Sequence, residues 1–138
     1  MKILKTSPSN IELKFDKKDL ELVWEYLGPE RIKGDGFYNN EYHWFEVIIE
    51  EKIVAIICLA ENKFLQSSLN LSVLEIFIKY RGTGIGTEIM KELKKIAKSM
   101  NYKYMTLQTR NPSLIEFYKK FNFSTHLIGK TPIMVTSL

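Results

Sequence analysis

Apolar and polar positions alternate from Ile11 to Phe15, the pattern of a half-buried strand. Asp16 is an N-cap by residue type, and Leu20, Val23, Trp24 and Leu27 then recur at helical spacing up to a stop at Gly28-Pro29. Residues 28–42 hold three glycines, a proline and two asparagines, with Phe37, Tyr38 and Tyr42 among them, and read as a loop with at most a short helical turn. Trp44 to Glu50 and Ile53 to Ala60 predict two strands joined by the tight Glu50-Glu51-Lys52 turn, and Leu69 to Lys79 predicts a third. The period then changes. Ile89, Met90, Leu93, Ile96, Ala97 and Met100 form the apolar stripe of a helix, with Lys91, Lys94, Lys95 and Lys98 on its wet side. Tyr104 to Thr109 reads as a strand. Asn111-Pro112 opens a second amphipathic helix carrying Leu114, Ile115, Phe117, Tyr118 and Phe121, with Asn122 as a left-handed stop. Phe123 to Ile128 and Ile133 to Thr136 close the chain as strands around a Gly129–Pro132 turn. The order β-α-β-β-β-α-β-α-β-β predicts an α/β fold, a mixed and mostly antiparallel sheet flanked by helices.

Composition narrows the class. With 138 residues, 45% hydrophobic and 26% charged, residues 1–138 are expected to form one globular domain. A chain of this length buries roughly two-thirds of its unfolded surface and needs no disulfide or structural metal. Cys58 has no second cysteine to bridge, and one cysteine with His43 and His126 far apart argues against a zinc site. The longest apolar run, Ile53 to Ala60, is far short of the roughly 20 residues that span a bilayer. The opening MKILKTSPSN lacks the apolar core of a signal peptide, so a cytoplasmic, membrane-free protein is expected. The net charge of +4 is unevenly spread: residues 1–51 carry 7 Lys/Arg against 11 Asp/Glu, a balance of −4, and residues 52–138 carry 13 against 5, a balance of +8. Such a split, unlike a uniform basic coat, argues against a nucleic-acid partner; it is also what chance alone gives about as often.

The chemistry concentrates where strand gives way to helix, at Arg81-Gly82-Thr83-Gly84-Ile85-Gly86. Free N–H groups and the helix dipole point forward there, glycine lets an anion approach the backbone, and Arg81 adds a charge, so the segment is a candidate phosphate cradle. A nucleoside-triphosphate loop would need G-x-x-x-x-G-K-S/T, and Thr87-Glu88 stand where its lysine belongs. A dinucleotide fold would need G-x-G-x-x-G and an acidic end to the next strand, which here ends Gln108-Thr109-Arg110.

The segment resembles the acyl-CoA loop of the GNAT family of N-acetyltransferases, whose pattern is R/Q-x-x-G-x-G/A. A second stretch agrees: Asn111 to Phe123, NPSLIEFYKKFNF, is similar to that family's N-x6-Y-E-K-x-G-F, with Lys119 and Asn122 where the family has Glu and Gly. Asn is the residue that best replaces Gly in a left-handed position. The resemblance covers residues 69–123. One departure is that Ile78, Lys79, Tyr80 and Arg81 run on without the few residues, often including a proline, that the family places between strand and Arg.

The resemblance implies the GNAT acyl-CoA N-acyltransferase fold and acetyl-CoA as cosubstrate. It implies that the backbone of Ile76, Phe77 and Ile78 pairs with the pantetheine arm, that Arg81, Gly82, Thr83, Gly84, Ile85, Gly86 and Thr87 take the pyrophosphate, and that Asn111 contacts the cofactor. Asn111 would serve equally as a helix cap. Tyr118 falls at the family's general-acid position, although a core aromatic suits the same helix face. Glu75, between Val73 and Phe77 on an apolar strand, is the candidate base; the alternative is that this face is open to water. Glu46 ranks below it, because Glu50 further along suggests a solvated face. Cys58 reads as a small buried hydrophobe, and neither histidine has a partner signal. Tyr38, Tyr42, Trp44 and Phe45 would pack on the first helix or line an acceptor pocket, and the lysine-faced helix is either merely solvated or draws in phosphates.

The expected activity is acetyl transfer to a primary amine of a small molecule or peptide, with the acidic first half pointing to a cationic acceptor. Two rivals stand beside it: a non-catalytic acyl-CoA-binding module of the same fold, and an acetyltransferase acting on charged tRNA. The C-terminal edge strands leave room for a homodimer.

Overall fold

The structure, a computed structural model, describes residues 1–7, 38–62 and 65–138. Seven strands form one sheet: β1 (Lys2–Thr6), β2 (Tyr38–Ile49), β3 (Lys52–Asn62), β4 (Ser68–Ile76), β5 (Tyr104–Leu107), β6 (Ser124–Ile128) and β7 (Thr131–Ser137). Their order across the sheet is β1-β2-β3-β4-β5-β7-β6. Every pair is antiparallel except β4 with β5, which run parallel for three rungs, Ser68–Tyr104, Leu69–Met105 and Asn70–Thr106. Two helices, α1 (Ile85–Ser99) and α2 (Pro112–Lys119), lie among the described residues. The strand predicted at Ile11–Phe15 and the helix predicted from Asp16 to Leu27 lie outside them.

Both helices pack on one face. Ile89, Met90, Leu93 and Ala97 of α1 meet Ile57, Leu59, Leu69 and Met105 of the sheet, joined by Tyr118, Phe121 and Phe123 from the α2 region. On the opposite face Trp44, Ile56, Cys58 and Val73 form a second cluster. Strand β3 is therefore buried on both sides, which is why Ile53 to Ala60 reads as an unbroken apolar run. Local signals set the joints. Glu50 and Glu51 both take positive φ in the β2–β3 turn, and the Asn111 side chain caps α2 by accepting from the Ser113 N–H at 3.0 Å. Asn122 takes φ +67° just beyond α2, as expected of the left-handed stop.

Several expectations are corrected. Tyr38–Tyr42 is strand rather than loop, because β3 extends to Asn62 and supplies Tyr38 with a partner; the register slips between Tyr38 and Tyr42. Lys2–Thr6 forms an edge strand on β2 that its own pattern does not announce, with Lys2 and Lys5 exposed. Strand β4 ends at Ile76, not Lys79. The Phe77 N–H still reaches the Val54 carbonyl at 2.9 Å, but β3 then turns back into the hairpin and no ladder remains, so Ile78–Tyr80 closes into a single 3₁₀ turn. Lys94 leaves the wet face: its ammonium donates to the Phe121 carbonyl at 2.9 Å and to Thr136 Oγ1 at 3.3 Å, tying α1 to the end of α2 and to β7, and its burial lowers its pKa.

Leu93→Ala removes a fully buried side chain facing the sheet and is expected to cost about 2–5 kcal/mol in urea denaturation. Lys91→Ala, on the exposed face of the same helix, is expected to stay within about 0.5 kcal/mol.

Candidate active site

After the Asn70–Thr106 rung, β4 and β5 part. Between them opens a cavity of about 830 Å³, walled on one side by Leu71 to Ile76 and on the other by Leu107 to Asn111, with the start of α1 at one end and α2 along the floor. A β-bulge shapes the β4 wall. Val73 pairs with Cys58 and Leu71 with Leu59, so Ser72 is the extra residue.

The cavity brings together Glu75, Ile76, Arg81, Gly82, Gly84, Ile85, Gly86, Thr87, Asn111 and Tyr118. Phe77, Ile78 and Thr83 are not among its walls. Phe77 packs on the opposite face of the sheet with Trp44 and Val73. Ile78 is 64% exposed on the 3₁₀ turn, and the Thr83 hydroxyl turns back to the Tyr80 carbonyl at 2.7 Å. Leu71 to Leu74, Leu107 to Arg110 and Leu114 line the cavity without having been singled out from sequence. The bulge did leave a trace there: the helix-facing apolar positions run Leu69, Leu71, Leu74, Ile76, a slip of one residue at Ser72.

The glycine segment has the geometry of an anion cradle. Gly82 and Gly84 take φ of +76° and +83°, and a Cβ built on either would meet no atom within 4 Å, so the backbone stands open. The first helical hydrogen bond of α1 is from the Glu88 N–H to the Gly84 carbonyl, leaving the N–H groups of Ile85, Gly86 and Thr87 without an acceptor inside the helix. These residues fit a diphosphate. Gly86 has a different reason to be glycine: a Cβ there would stand 3.3 Å from Phe117 Cζ and 3.4 Å from Ile76 Cδ1.

Arg81 is turned inward. Its Nε–H donates to the Ile76 carbonyl at 2.8 Å, and Nη2 pairs with the Glu75 carboxylate, while half of the side chain remains exposed. Glu75 is 8% exposed, so its face is not open to water. Glu46 is only 3% exposed and accepts from the Thr6 hydroxyl at 2.9 Å. Its face is therefore not solvated at that point, contrary to the expectation drawn from Glu50. By register Glu46, Ile56 and Glu75 lie in one row across β2, β3 and β4, on the face away from the helices.

Tyr118 is buried edge-on against Phe117 and Phe123, with ring centroids 5.2 and 5.7 Å away. It lines the cavity, and its hydroxyl makes no hydrogen bond among the described residues. Burial pushes the phenol up from 10.0 to about 12, so it holds its proton throughout the neutral range. Burial likewise raises the Cys58 thiol.

A mostly antiparallel sheet that parts at its one parallel pair, with a glycine loop opening onto the gap, is a GNAT fold. The model of the Acetyltransferase (GNAT) family matches residues 11–123, and the chain belongs to that family. A PaiA N-acetyltransferase from Thermoplasma acidophilum, solved with coenzyme A, is similar in fold at TM-score 0.62 and 18% identity over 100% of both chains. A GNAT acetyltransferase from Elizabethkingia anophelis with acetyl-CoA bound gives 0.64 and 14%, covering 99% of this chain and 97% of that one. A Bacillus subtilis acetyltransferase in complex with CoA gives 0.69 and 13%, covering 99% and 98%. No curated protein matches the sequence.

The Tyr118 shift has a consequence for stability. A phenol whose folded pKa lies above its unfolded value stabilises the fold fully below pH 10, and that contribution is lost as pH rises toward 12. Tyr118→Phe is expected to show a shallower loss of stability between pH 10 and 12 than the wild type, read from urea midpoints at stepped pH. Parallel slopes would mean the hydroxyl is not desolvated.

Proposed function

We propose that the chain is a single N-acetyltransferase domain that moves an acetyl group from acetyl-CoA to a primary amine. The observation that carries this reading is a cavity that, among the described residues, joins the glycine cradle, the β4 edge beyond its last rung with β5, and Tyr118. The N–H groups of Ile85 to Thr87 would hold the pyrophosphate, with Gly82 and Gly84 keeping the approach open. The β4 edge from Leu71 to Ile76 would hydrogen-bond the pantetheine amides as an added strand would. Bound acetyl-CoA supplies an activated acyl thioester. Tyr118, protonated at neutral pH, would donate to the departing sulfur.

A lysine-like amine has a pKa of about 10.4, so only about one in a few thousand is neutral at pH 7. Glu75 would take its proton, directly or through water. A carboxylate held by a guanidinium is a poorer base than a free one, so this role needs Arg81 to let go. A diphosphate at the neighbouring loop would compete for the same guanidinium and loosen its hold on Glu75 as the cofactor seats. The same ion pair is the observation that favours a second reading, an acyl-CoA-binding module that transfers nothing.

The acceptor is proposed to be cationic. The −4 balance of residues 1–51 and the buried row holding Glu46 and Glu75 support a negative acceptor side. Tyr118→Phe is expected to lower kcat roughly 100-fold while Kd for CoA stays within about two-fold. An unchanged kcat removes Tyr118 from the mechanism, and a wild type that binds CoA but releases no thiol with any amine supports the binding module. Across an acceptor panel, diamines and lysine-like amines are expected to exceed neutral and acidic amines in kcat/KM; the reverse order would overturn the charge argument.

A further inference from the structure

A chain of polar side chains runs through the sheet where an apolar core would suffice. Asn62, Asn70 and Thr106, at β3, β4 and β5, are all buried. Asn62 Nδ2 donates to Thr106 Oγ1 at 3.0 Å, the Thr106 hydroxyl donates to Asn70 Oδ1 at 2.8 Å, and Asn70 Nδ2 donates to Ser72 Oγ at 3.2 Å. The chain has a direction. Each group donates to the next, and successive bonds polarise one another in the same sense. It ends at Ser72, whose oxygen accepts and whose own proton meets no acceptor among the described residues.

Ser72 is also the bulged residue of β4, two positions past the last rung that β4 shares with β5, and it lines the cavity where the strands begin to part. Buried polar groups are tolerated when every one is paired, and an apolar pair would hold the Asn70–Thr106 rung without that requirement. The donor at the end of the chain, the Ser72 hydroxyl, therefore sits in the cavity wall, where the strands begin to part, beside a ligand-sized space.

We propose that the Ser72 hydroxyl donates a hydrogen bond to the carbonyl oxygen of the acyl group bound in this cavity, with Asn70, Thr106 and Asn62 as positioning residues that aim it. Ser72 would touch the ligand; the other three act through it. The proposal rests on the acyl-CoA reading above and adds to it the group that recognises the acyl carbonyl.

The test compares binding of CoA, which has no acyl carbonyl, with binding of S-acetonyl-CoA, a ketone analogue that keeps the carbonyl and cannot transfer it. By calorimetry the wild type is expected to prefer the analogue. Ser72→Ala should reduce that preference about three- to ten-fold, the worth of one net hydrogen bond, with Kd for CoA itself little changed. Ser72→Thr should retain the preference. Thr106→Val leaves Ser72 in place but unaimed, and should lose part of it; this variant carries the test if Ser72→Ala does not fold. In turnover, Ser72→Ala should lower kcat more than it raises KM. A preference equal in wild type, Ser72→Ala and Thr106→Val overturns the assignment of Ser72 alone. A wild type that binds neither CoA nor the analogue overturns the acyl-CoA reading, and this proposal with it.

Discussion

Everything functional in this molecule depends on β4 and β5 being paired for three rungs and then separated. Strand β4 is held along its length by β3, out to the Phe77 N–H, while β5 is only four residues long and pairs throughout with β7. The two neighbours keep diverging strands in place, so the gap between them is a property of the sheet and not of a loop. Its β4 wall is an inward-facing strand edge, with backbone donors and acceptors that have no partner strand from Leu71 onward. Such an edge must be satisfied by water or by an extended ligand. An amide-bearing arm that lies along it meets both needs, the geometry and the unpaired backbone groups.

The cavity wall carries an ion pair, Arg81 with Glu75, and a second cation, Arg110. Arg81 is carried back over Glu75 by the 3₁₀ turn at Ile78–Tyr80, and it takes the Ile76 carbonyl as well. With half of the Arg81 side chain exposed, solvent screens the pair and limits what it adds to stability. Its significance is competitive. Arg81 also directly precedes the glycine loop, so a charge brought to that loop would compete with the carboxylate six residues away for one guanidinium.

How much of this could be read from the sequence follows from how local each cause is. Helix α2 was legible because capping is local: Asn111-Pro112 opens it and Asn122 takes the left-handed turn beyond it. The buried β3 was legible as a continuous apolar run. Tyr38–Tyr42 was not, because it is strand only by virtue of the Asn62 end of β3. Glu46 was misplaced for the same kind of reason, since the hydroxyl that donates to it belongs to Thr6, 40 residues away. The glycine cradle was legible in a motif, but Leu107 to Arg110 became a wall only through the divergence of two strands far apart in sequence. The inward turn of Arg81 depends on where β4 stops, and that depends on where the β2–β3 hairpin runs out.

The three glycines of the loop show how a short motif can couple separate parts of a site. Gly82 and Gly84 are needed for their positive φ, and both stand in open space. Gly86 stands against Phe117 and Ile76, where a side chain would push α1 away from both α2 and the end of β4. Phe117 in turn packs edge-on against Tyr118 and Phe121, at 5.2 Å in each case. At its far end α2 is held by Lys94 of α1, which reaches the Phe121 carbonyl. The helix that carries the cradle is thus fixed to the helix that carries the phenol at two points, one by a missing side chain and one by a half-buried ammonium. A ligand that spans from diphosphate to acyl group needs a constant distance between those two ends, and these two contacts hold it.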